Sequence, residues 1–159
     1  MKQLKLSSSP YFKSQPSFGG ELNFKKRKSR RPLDPKKPLH IVLRANCHKP
    51  CFLHQDSHIN KIIAQWAEYF AIKIYESSVN ANHLHLVIGF KHRKLYQYFI
   101  SALSGQIAQK LKIKWEFRPF TRIIEWGRDF KNACLYAIKN QKEAWGLISY
   151  KPRTARAPS

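Results

Sequence analysis

The sequence predicts an α+β fold in which helices pack on one face of an antiparallel sheet and one further helix follows at the C-terminal end. Short segments rich in β-branched residues alternate with longer segments whose apolar residues recur at helical spacing. These segments follow one another in the order β, α, β, β, α, β, α. The length of 159 residues and a hydrophobic content of 43% suffice for one domain with a single core.

The first half of the pattern predicts a strand, a helix and a hairpin. The segment L-H-I-V-L-R (residues 39–44) is short and β-branched, which is typical of a strand. Residues 72–79 and 83–90 alternate between apolar and polar side chains, and N-A-N between them supplies turn residues. A helix is predicted over residues 58–70, after a candidate N-cap at Ser57, because apolar side chains recur there at helical spacing: Ile59, Ile62, Ile63, Trp66 and Phe70.

The second half predicts two more helices and one more strand. Residues 95–113 and 128–144 have helical periodicity, and T-R-I-I-E (residues 121–125) is typical of a strand that follows Pro119. The first six elements form the split βαβ pattern of ferredoxin-like folds, an antiparallel sheet with helices on one side. The last helix lies beyond that pattern.

The charge of the chain favours a polyanionic partner. The sequence has 30 Lys and Arg against 9 Asp and Glu, a net charge of +21. A surplus of this size opposes compaction unless an anion relieves it, so we expect nucleic acid first and an anionic membrane surface second. The membrane is disfavoured because no helix combines a basic face with a fully apolar one.

The expected location is the cytoplasm, in association with the nucleoid. No apolar run approaches the roughly 18 residues of a membrane-spanning helix, and the N-terminus has no secretory signal. Three cysteines, Cys47, Cys51 and Cys134, are an odd and sparse set that suits a reducing compartment better than a disulfide framework.

Composition divides the chain into three parts. Residues 1–37 predict a flexible basic arm, because Ser, Pro and Gly punctuate them and the run K-K-R-K-S-R-R (residues 25–31) is strongly cationic. Residues 38–148 carry the patterned domain, and residues 149–159 form a short basic tail.

Two histidines in the predicted hairpin are candidate metal ligands. In N-A-N-H-L-H-L-V-I-G-F (residues 80–90), strand alternation puts His83 and His85 on one face and Leu84 on the other. Neutral imidazole is a common ligand of transition metals. The alternative is an amphipathic strand whose wet face happens to carry histidine.

The last predicted helix presents a tyrosine and an asparagine on one polar stripe. At about 100° per residue, Tyr136 and Asn140 fall one turn apart. An ordinary half-buried helical tyrosine is the alternative reading of Tyr136. The polar stripe comprises Asp129, Asn132, Tyr136, Asn140 and Glu143. The opposite, apolar side comprises Phe130, Cys134, Ile138 and Trp145.

These segments together resemble a known family. N-H-L-H-L-V (residues 82–87) resembles the histidine-hydrophobic-histidine (HUH) motif of single-tyrosine transposases, and L-H-I-V-L-R resembles their first strand. The segment R-P-F-T-R-I-I-E-W-G-R-D-F (residues 118–130) resembles the approach to the catalytic helix in the REP-associated tyrosine transposase branch. Y-A-I-K-N-Q (residues 136–141) is similar to the nucleophile helix. The resemblance runs from about residue 38 to residue 147.

The resemblance implies metal-dependent cleavage and strand transfer of single-stranded DNA, on hairpin (REP-like) substrates. Tyr136 would attack the scissile phosphate and form a 5′-phosphotyrosine. His83, His85 and Asn140 would hold Mg²⁺ or Mn²⁺. The protein would act as a monomer or a homodimer. In one branch of the family a proline follows the asparagine, whereas Gln141 stands here.

Two alternatives accompany this reading. The chain could be a catalytically inactive, transposase-derived protein that binds nucleic acid. A ferredoxin-like RNA-recognition module would need an aromatic strand of the R-G-F-G-F-V type, and H-L-H occupies the candidate position.

Basic and aromatic side chains near these segments are the expected DNA contacts. Arginines and lysines grip the phosphate backbone, and Tyr75, Trp115 or Trp126 could stack on unpaired bases or pack in the core. The predicted phosphate contacts are Lys25, Lys26, Arg27, Lys28, Arg30, Arg31, Arg44, Arg118, Arg122 and Arg128.

A zinc site is the remaining alternative, in C-H-K-P-C-F-L-H-Q-D-S-H (residues 47–58), which also contains His48 and His58. Cys47, Cys51 and His54 are zinc-binding residue types, but their spacing fits no finger pattern and no second ligand pair follows. A loop with incidental cysteine and histidine is favoured.

Overall fold

A computed structural model of the chain describes residues 17–150. Two segments lie outside the described residues: part of the predicted arm, residues 1–16, and most of the predicted tail, residues 151–159. The described residues form three α-helices: α1 (Asp56–Tyr69), α2 (Arg93–Leu111) and α3 (Arg128–Ala144). The strands are β1 (Ser17–Phe18), β2 (Leu39–Asn46), β3 (Lys73–Val79), β4 (His83–Gly89), β5 (Lys114–Trp115) and β6 (Phe120–Ile123).

The sheet has the order β1-β6-β2-β4-β3, and β5 pairs with the end of β2. Every pairing is antiparallel. The predicted α+β fold with a ferredoxin-like antiparallel sheet is confirmed, since β6-β2-β4-β3 is the strand order that a split βαβ arrangement requires. The two-residue strands β1 and β5 were not predicted, because they are too short to show a periodic pattern.

The main hydrophobic core lies between one face of the sheet and helices α1 and α2. Alternate residues of β2 and β4 point into it, which is the two-residue period of a strand. Helices α1 and α2 cover them with side chains at helical spacing. The fully buried members include Leu39, Ile41, Leu43, Leu84, Leu86, Ile88, Ile59, Phe99, Leu103 and Ile107.

Helix α3 packs on the opposite face of the sheet. Its buried residues are Ala133, Ala137 and Asn140, and Ala133 meets Val87 and Ile124 in a second, smaller apolar cluster. Alanine side chains are short, so the helix axis can approach the strands closely. The buried side of α3 thus follows its alanines and differs from the side that was predicted to be apolar. Trp145, which was predicted on that apolar side, is 46% exposed.

An aromatic cluster fixes the start of α3. The ring of Tyr75 lies 5.6 Å from that of Trp126 and 5.2 Å from that of Phe130.

A separate aromatic contact lies at β5, where Trp115 packs against Phe52 with ring centres 6.0 Å apart. Tyr75, Trp115 and Trp126, the candidates for base stacking, thus make packing contacts within the fold.

Part of the predicted basic arm is attached to the sheet as a loop. The Gly20 amide donates to the Arg118 carbonyl (3.0 Å). Eleven positions later the Arg31 guanidinium donates to the Pro119 carbonyl and to Thr121 Oγ1, both at 2.7 Å. At Gly19, with φ +88°, a Cβ would collide with the Pro119 carbonyl oxygen, so only glycine allows this approach. We call residues 20–31 the basic loop.

Arg31 is a structural residue of this loop, although it was predicted as a phosphate contact. Its guanidinium lies over the Phe18 ring, 4.7 Å from the ring centre. Burial lowers the pKa of Arg31 from its ordinary value. The hydrogen bonds that Arg31 donates to main-chain and hydroxyl oxygens offset part of the free-energy cost of burying its charge.

Two of the three cysteines are joined to each other. Cys47 and Cys51 form a disulfide bond, so the expectation that the cysteines are thiols is wrong for this pair. Cys134 is a free cysteine.

Between residues 17 and 150, no helix is both long enough and apolar enough to span a membrane.

His40 on β2 is a buried histidine, 7% exposed. Burial, reinforced by the positive charge of Arg122 and opposed by Asp129, lowers the pKa of His40 from 6.5 to about 4. At neutral pH its ring is therefore uncharged.

We predict that this histidine makes the fold less stable in acid. Below pH 6.5 the unfolded chain takes up a proton that the folded chain does not accept until about pH 4, so stability is lost as the pH falls through this window, by up to about 3 kcal/mol. Urea unfolding of the wild type and His40→Gln, each followed from pH 7.5 down to pH 4.5, would measure the difference. Equal pH dependence in the two proteins would contradict the prediction.

Candidate active site

A cavity of about 830 Å³ opens between the sheet and α3. The H-L-H strand, the turn before it and the end of β2 form one side, and α3 forms the other. Segments 20–22 and 117–120 close the rim. The principal polar and aromatic lining residues are Glu21, Arg44, Asn80, Asn82, His83, His85, Arg118, Tyr136, Asn140, Glu143 and Tyr150.

His83 is held at both ring nitrogens. Its Nδ1 lies 2.9 Å from Asn82 Oδ1, and its Nε2 lies 3.0 Å from Asn80 Nδ2. An amide oxygen only accepts and an amide nitrogen only donates, so this arrangement corresponds to a proton on Nδ1 and a lone pair on Nε2. Asn80 is itself fixed, because its Oδ1 accepts from Ser78 Oγ at 3.3 Å.

His85 has an equivalent environment deeper in the fold, where it is 4% exposed. Its Nδ1 lies 3.0 Å from Nε2 of His40, and its Nε2 lies 3.4 Å from Nδ2 of Asn140. The rings of His83 and His85 have centres 4.9 Å apart at an angle of 76°. Strand alternation therefore places both imidazoles on the face that α3 covers.

Helix α3 brings Tyr136 and Asn140 to the histidines. The Tyr136 ring lies 5.7 Å from the His85 ring and 6.3 Å from the His40 ring, edge to face with each. Tyr136 is 37% exposed at the cavity, whereas Asn140, one turn on, is only 9% exposed. All four side chains come from one chain, so the predicted convergence of His83, His85, Tyr136 and Asn140 occurs within a single subunit.

The donor chemistry of this cluster fits a divalent cation. His83 and His85 each have Nδ1 directed to a hydrogen-bond acceptor, as the non-ligating nitrogen of a metal-binding histidine usually is, and a cation at Nε2 would replace the asparagine amide nitrogen found there. Asn140 adds an amide that can present oxygen. Among residues 17–150, no group of three or more His, Cys, Asp or Glu side chains is arranged to hold a metal. Any site would thus depend on the asparagine as well as the imidazoles.

The predicted phosphate contacts lie in different places. Arg44 and Arg118 line the cavity, Arg44 in an ion pair with Glu116 at 2.9 Å. Arg122 is paired with Asp129 at 3.1 Å. Arg128 is exposed at the start of α3. The exposed cations of the basic loop are Lys25, Lys26, Arg27, Lys28 and Arg30.

The structure gives no support to the zinc alternative. Cys47 and Cys51 are joined to each other, so their sulfurs are not available as thiolate ligands. His54 is exposed on the same loop, in a left-handed backbone conformation with φ 65°.

Sequence reasoning missed two residues of the cluster, His40 and Asn80. His40 stands in L-H-I-V-L-R, where alternation separates it from the core leucines. This alternation shows that His40 lies on the face of β2 opposite to the core leucines. The register that brings it to His85 depends on the pairing of β2 with β4, which sets Val42 opposite His85. Asn80 was read only as a turn residue.

The solved structures similar to this chain include the following two. One is a REP-associated tyrosine transposase bound to a REP hairpin, with a TM-score of 0.58, 14% identity, and 75% of each chain covered. The other, from Deinococcus radiodurans, is described as a candidate transposase; its TM-score is 0.47 at 14% identity, over 72% of this chain and 97% of that one. Comparison with curated proteins gave no match.

A family model described as "Transposase IS200 like" matches residues 36–136. The matched span begins just before β2, includes His83 and His85, and ends at Tyr136. It covers more than half of the chain, and it contains the strands that build the histidine side of the cavity. The chain therefore belongs to the family of IS200-like transposases.

Proposed function

We propose that this protein cleaves and rejoins single-stranded DNA through a covalent bond between Tyr136 and a 5′-phosphate. The observation that carries the proposal is the contact between Tyr136 and His85, whose ring centres are 5.7 Å apart. A phenol, two imidazoles and an amide face one cavity that is open to solvent. Membership of the IS200-like family supports the same reaction class.

The proposed substrate is a DNA hairpin with a single-stranded flank, of the REP type. The structural relative bound to a REP hairpin supports this choice. Residues 38–148 would carry the chemistry, and the basic segments 1–37 and 149–159 would add phosphate contacts. One chain supplies a whole site, whether the protein is a monomer or a homodimer. A nucleoid-associated protein of the cytoplasm would meet this substrate.

In the proposed reaction the Tyr136 oxygen attacks phosphorus and forms a phosphodiester. The bond from phosphorus to the 3′-oxygen of the preceding nucleotide breaks and leaves a free 3′-hydroxyl. The phosphotyrosine retains the energy of the broken bond, so a 3′-hydroxyl can later attack it and release Tyr136. Because Tyr136 projects from a helix packed on the sheet, its oxygen has a restricted range of positions.

His83, His85 and Asn140 would hold Mg²⁺ or Mn²⁺. Such an ion would withdraw charge from the scissile phosphate and help orient it. Two imidazole nitrogens suit Mn²⁺ better than Mg²⁺, since Mg²⁺ prefers oxygen ligands. Asn82, which accepts from Nδ1 of His83, would keep that ligand in position, and the cation would take the place of the Asn80 amide nitrogen at Nε2.

An inactive, DNA-binding derivative is the second candidate. It requires the basic loop and Arg118 but not the tyrosine or the histidines. Covalent capture of DNA separates the two functions, whereas salt-sensitive DNA binding is expected of both.

We predict that Tyr136→Phe abolishes covalent capture. Wild-type protein, incubated with a hairpin oligonucleotide and Mn²⁺, should give a protein–DNA adduct on a denaturing gel, and the variant should give none because the nucleophilic oxygen is absent. Tyr150→Phe is the matched control, since Tyr150 lines the same cavity and should still give the adduct. An undiminished adduct with Tyr136→Phe would remove this residue from the mechanism.

We predict that His83→Ala weakens Mn²⁺ binding at least about tenfold, because a direct ligand is lost. Isothermal titration calorimetry of the DNA-free protein would measure the dissociation constant. His58→Ala is the control: His58 is exposed on α1, across the sheet from the cavity, and its loss should leave binding unchanged. Equal affinities in wild type and His83→Ala would refute the metal assignment.

We predict that Arg118→Gln reduces DNA affinity and lowers the slope of log K against log salt by about 1, the effect of losing one phosphate contact. Fluorescence anisotropy with a labelled hairpin, between low and moderate salt, would give both quantities. Lys61→Gln removes the same charge from exposed α1 on the far face of the sheet. If both variants lose affinity equally, the effect is one of net charge and Arg118 is not a contact.

A further inference from the structure

His40 lies behind the candidate metal ligands and has no role in the proposed chemistry. It is not among the residues that line the cavity, and it is 7% exposed. It belongs to β2, two positions from Val42, the residue that pairs with His85 across the strands. His40 and His85 therefore project from the same face of the sheet as diagonal neighbours.

The two imidazoles meet edge to edge. Their ring planes differ by only 10° and their centres are 5.3 Å apart, yet His40 Nε2 and His85 Nδ1 are 3.0 Å apart. Parallel rings with centres this far apart can bring two nitrogens so close only if the rings share nearly one plane. That arrangement directs an N–H of one ring along the lone pair of the other, which is the geometry of an N–H···N hydrogen bond.

The other side of His85 determines which ring donates. As oriented, the amide nitrogen of Asn140 faces His85 Nε2 at 3.4 Å, so Nε2 carries the lone pair. A neutral imidazole then has its proton on Nδ1, and His40 Nε2 must be the acceptor. At His83 the same task falls to Asn82, whose Oδ1 lies 2.9 Å from Nδ1.

We propose that His40 is a positioning residue that accepts a hydrogen bond from the Nδ1–H of His85 and thereby keeps His85 Nε2 unprotonated, so that a divalent cation can take the place of the Asn140 amide nitrogen there. The cation rests on the proposed function, whereas the hydrogen bond and the tautomer do not. The matching histidines therefore have different acceptors: a turn asparagine at the rim for His83 and a buried imidazole for His85.

The hydrogen bond can be tested in the metal-free, full-length wild type. Long-range ¹H–¹⁵N spectra of labelled imidazoles at neutral pH identify the tautomer of each histidine. The expected result is a proton on His85 Nδ1, with a ¹⁵N–¹⁵N coupling across the hydrogen bond to His40 Nε2. A proton on His85 Nε2 would overturn the proposal, whatever the variants do.

Two substitutions separate positioning from mere packing. In His40→Gln an amide oxygen can occupy the place of Nε2 and accept the proton, whereas His40→Leu offers no acceptor. We expect the leucine variant to populate the other His85 tautomer and to bind Mn²⁺ about 10–100-fold more weakly, and the glutamine variant to stay within about threefold of wild type. Equal losses in the two variants, or none in either, would refute the positioning role.

The same experiments distinguish this inference from the proposed function. If the wild type binds no Mn²⁺ but shows the expected tautomer and coupling, the metal assignment fails and the His40–His85 hydrogen bond stands. If Mn²⁺ binds normally to His40→Leu, the positioning role fails and the metal site stands.

Discussion

The candidate active site depends on the register between β2 and β4. That register sets His40 opposite Val87, Val42 opposite His85 and Arg44 opposite His83. Side chains alternate along a strand, so a slip of one residue would turn the histidines into the core under α1 and α2 and bring leucines to the cavity. The buried leucines and isoleucines on the other face prevent such a slip, because it would expose them all at once. The apolar core thus specifies the positions of the polar site on its far side.

Helix α3 completes the site because its contact surface is made of small residues. Ala133 and Ala137 allow the helix to lie close to β3 and β4, and the aromatic cluster of Tyr75, Trp126 and Phe130 secures its first turn. Tyr136 and Asn140 flank this alanine surface. One faces the open cavity and the other is buried against His85. One turn of one helix thereby supplies both the candidate nucleophile, Tyr136, and the buried Asn140.

The strand and helix order could be predicted from sequence because periodicity reports which face of an element is buried. The convergence of His83, His85, Tyr136 and Asn140 was inferred from a family resemblance that the fold and the family match support. Periodicity does not report pairing between distant segments, so the contact of His40 with His85, 45 positions apart, was missed. The hydrogen bond from Arg31 to the carbonyl of Pro119, 88 positions away, was not predicted for the same reason. Alanine is neutral in an apolar–polar pattern, which is why the buried side of α3 was displaced in the prediction.

The attachment of the basic loop changes how its positive charge can act. Both ends are fastened to neighbouring residues, at the carbonyls of Arg118 and Pro119. The intervening cations belong to a segment held at both ends, and its first residues, Gly20, Glu21 and Leu22, line the cavity. When a polyanion binds this loop, less conformational entropy of the protein is lost than when a loose segment must first be ordered. Attachment at two adjacent residues thus keeps both ends of the charged segment beside Arg118 and Pro119.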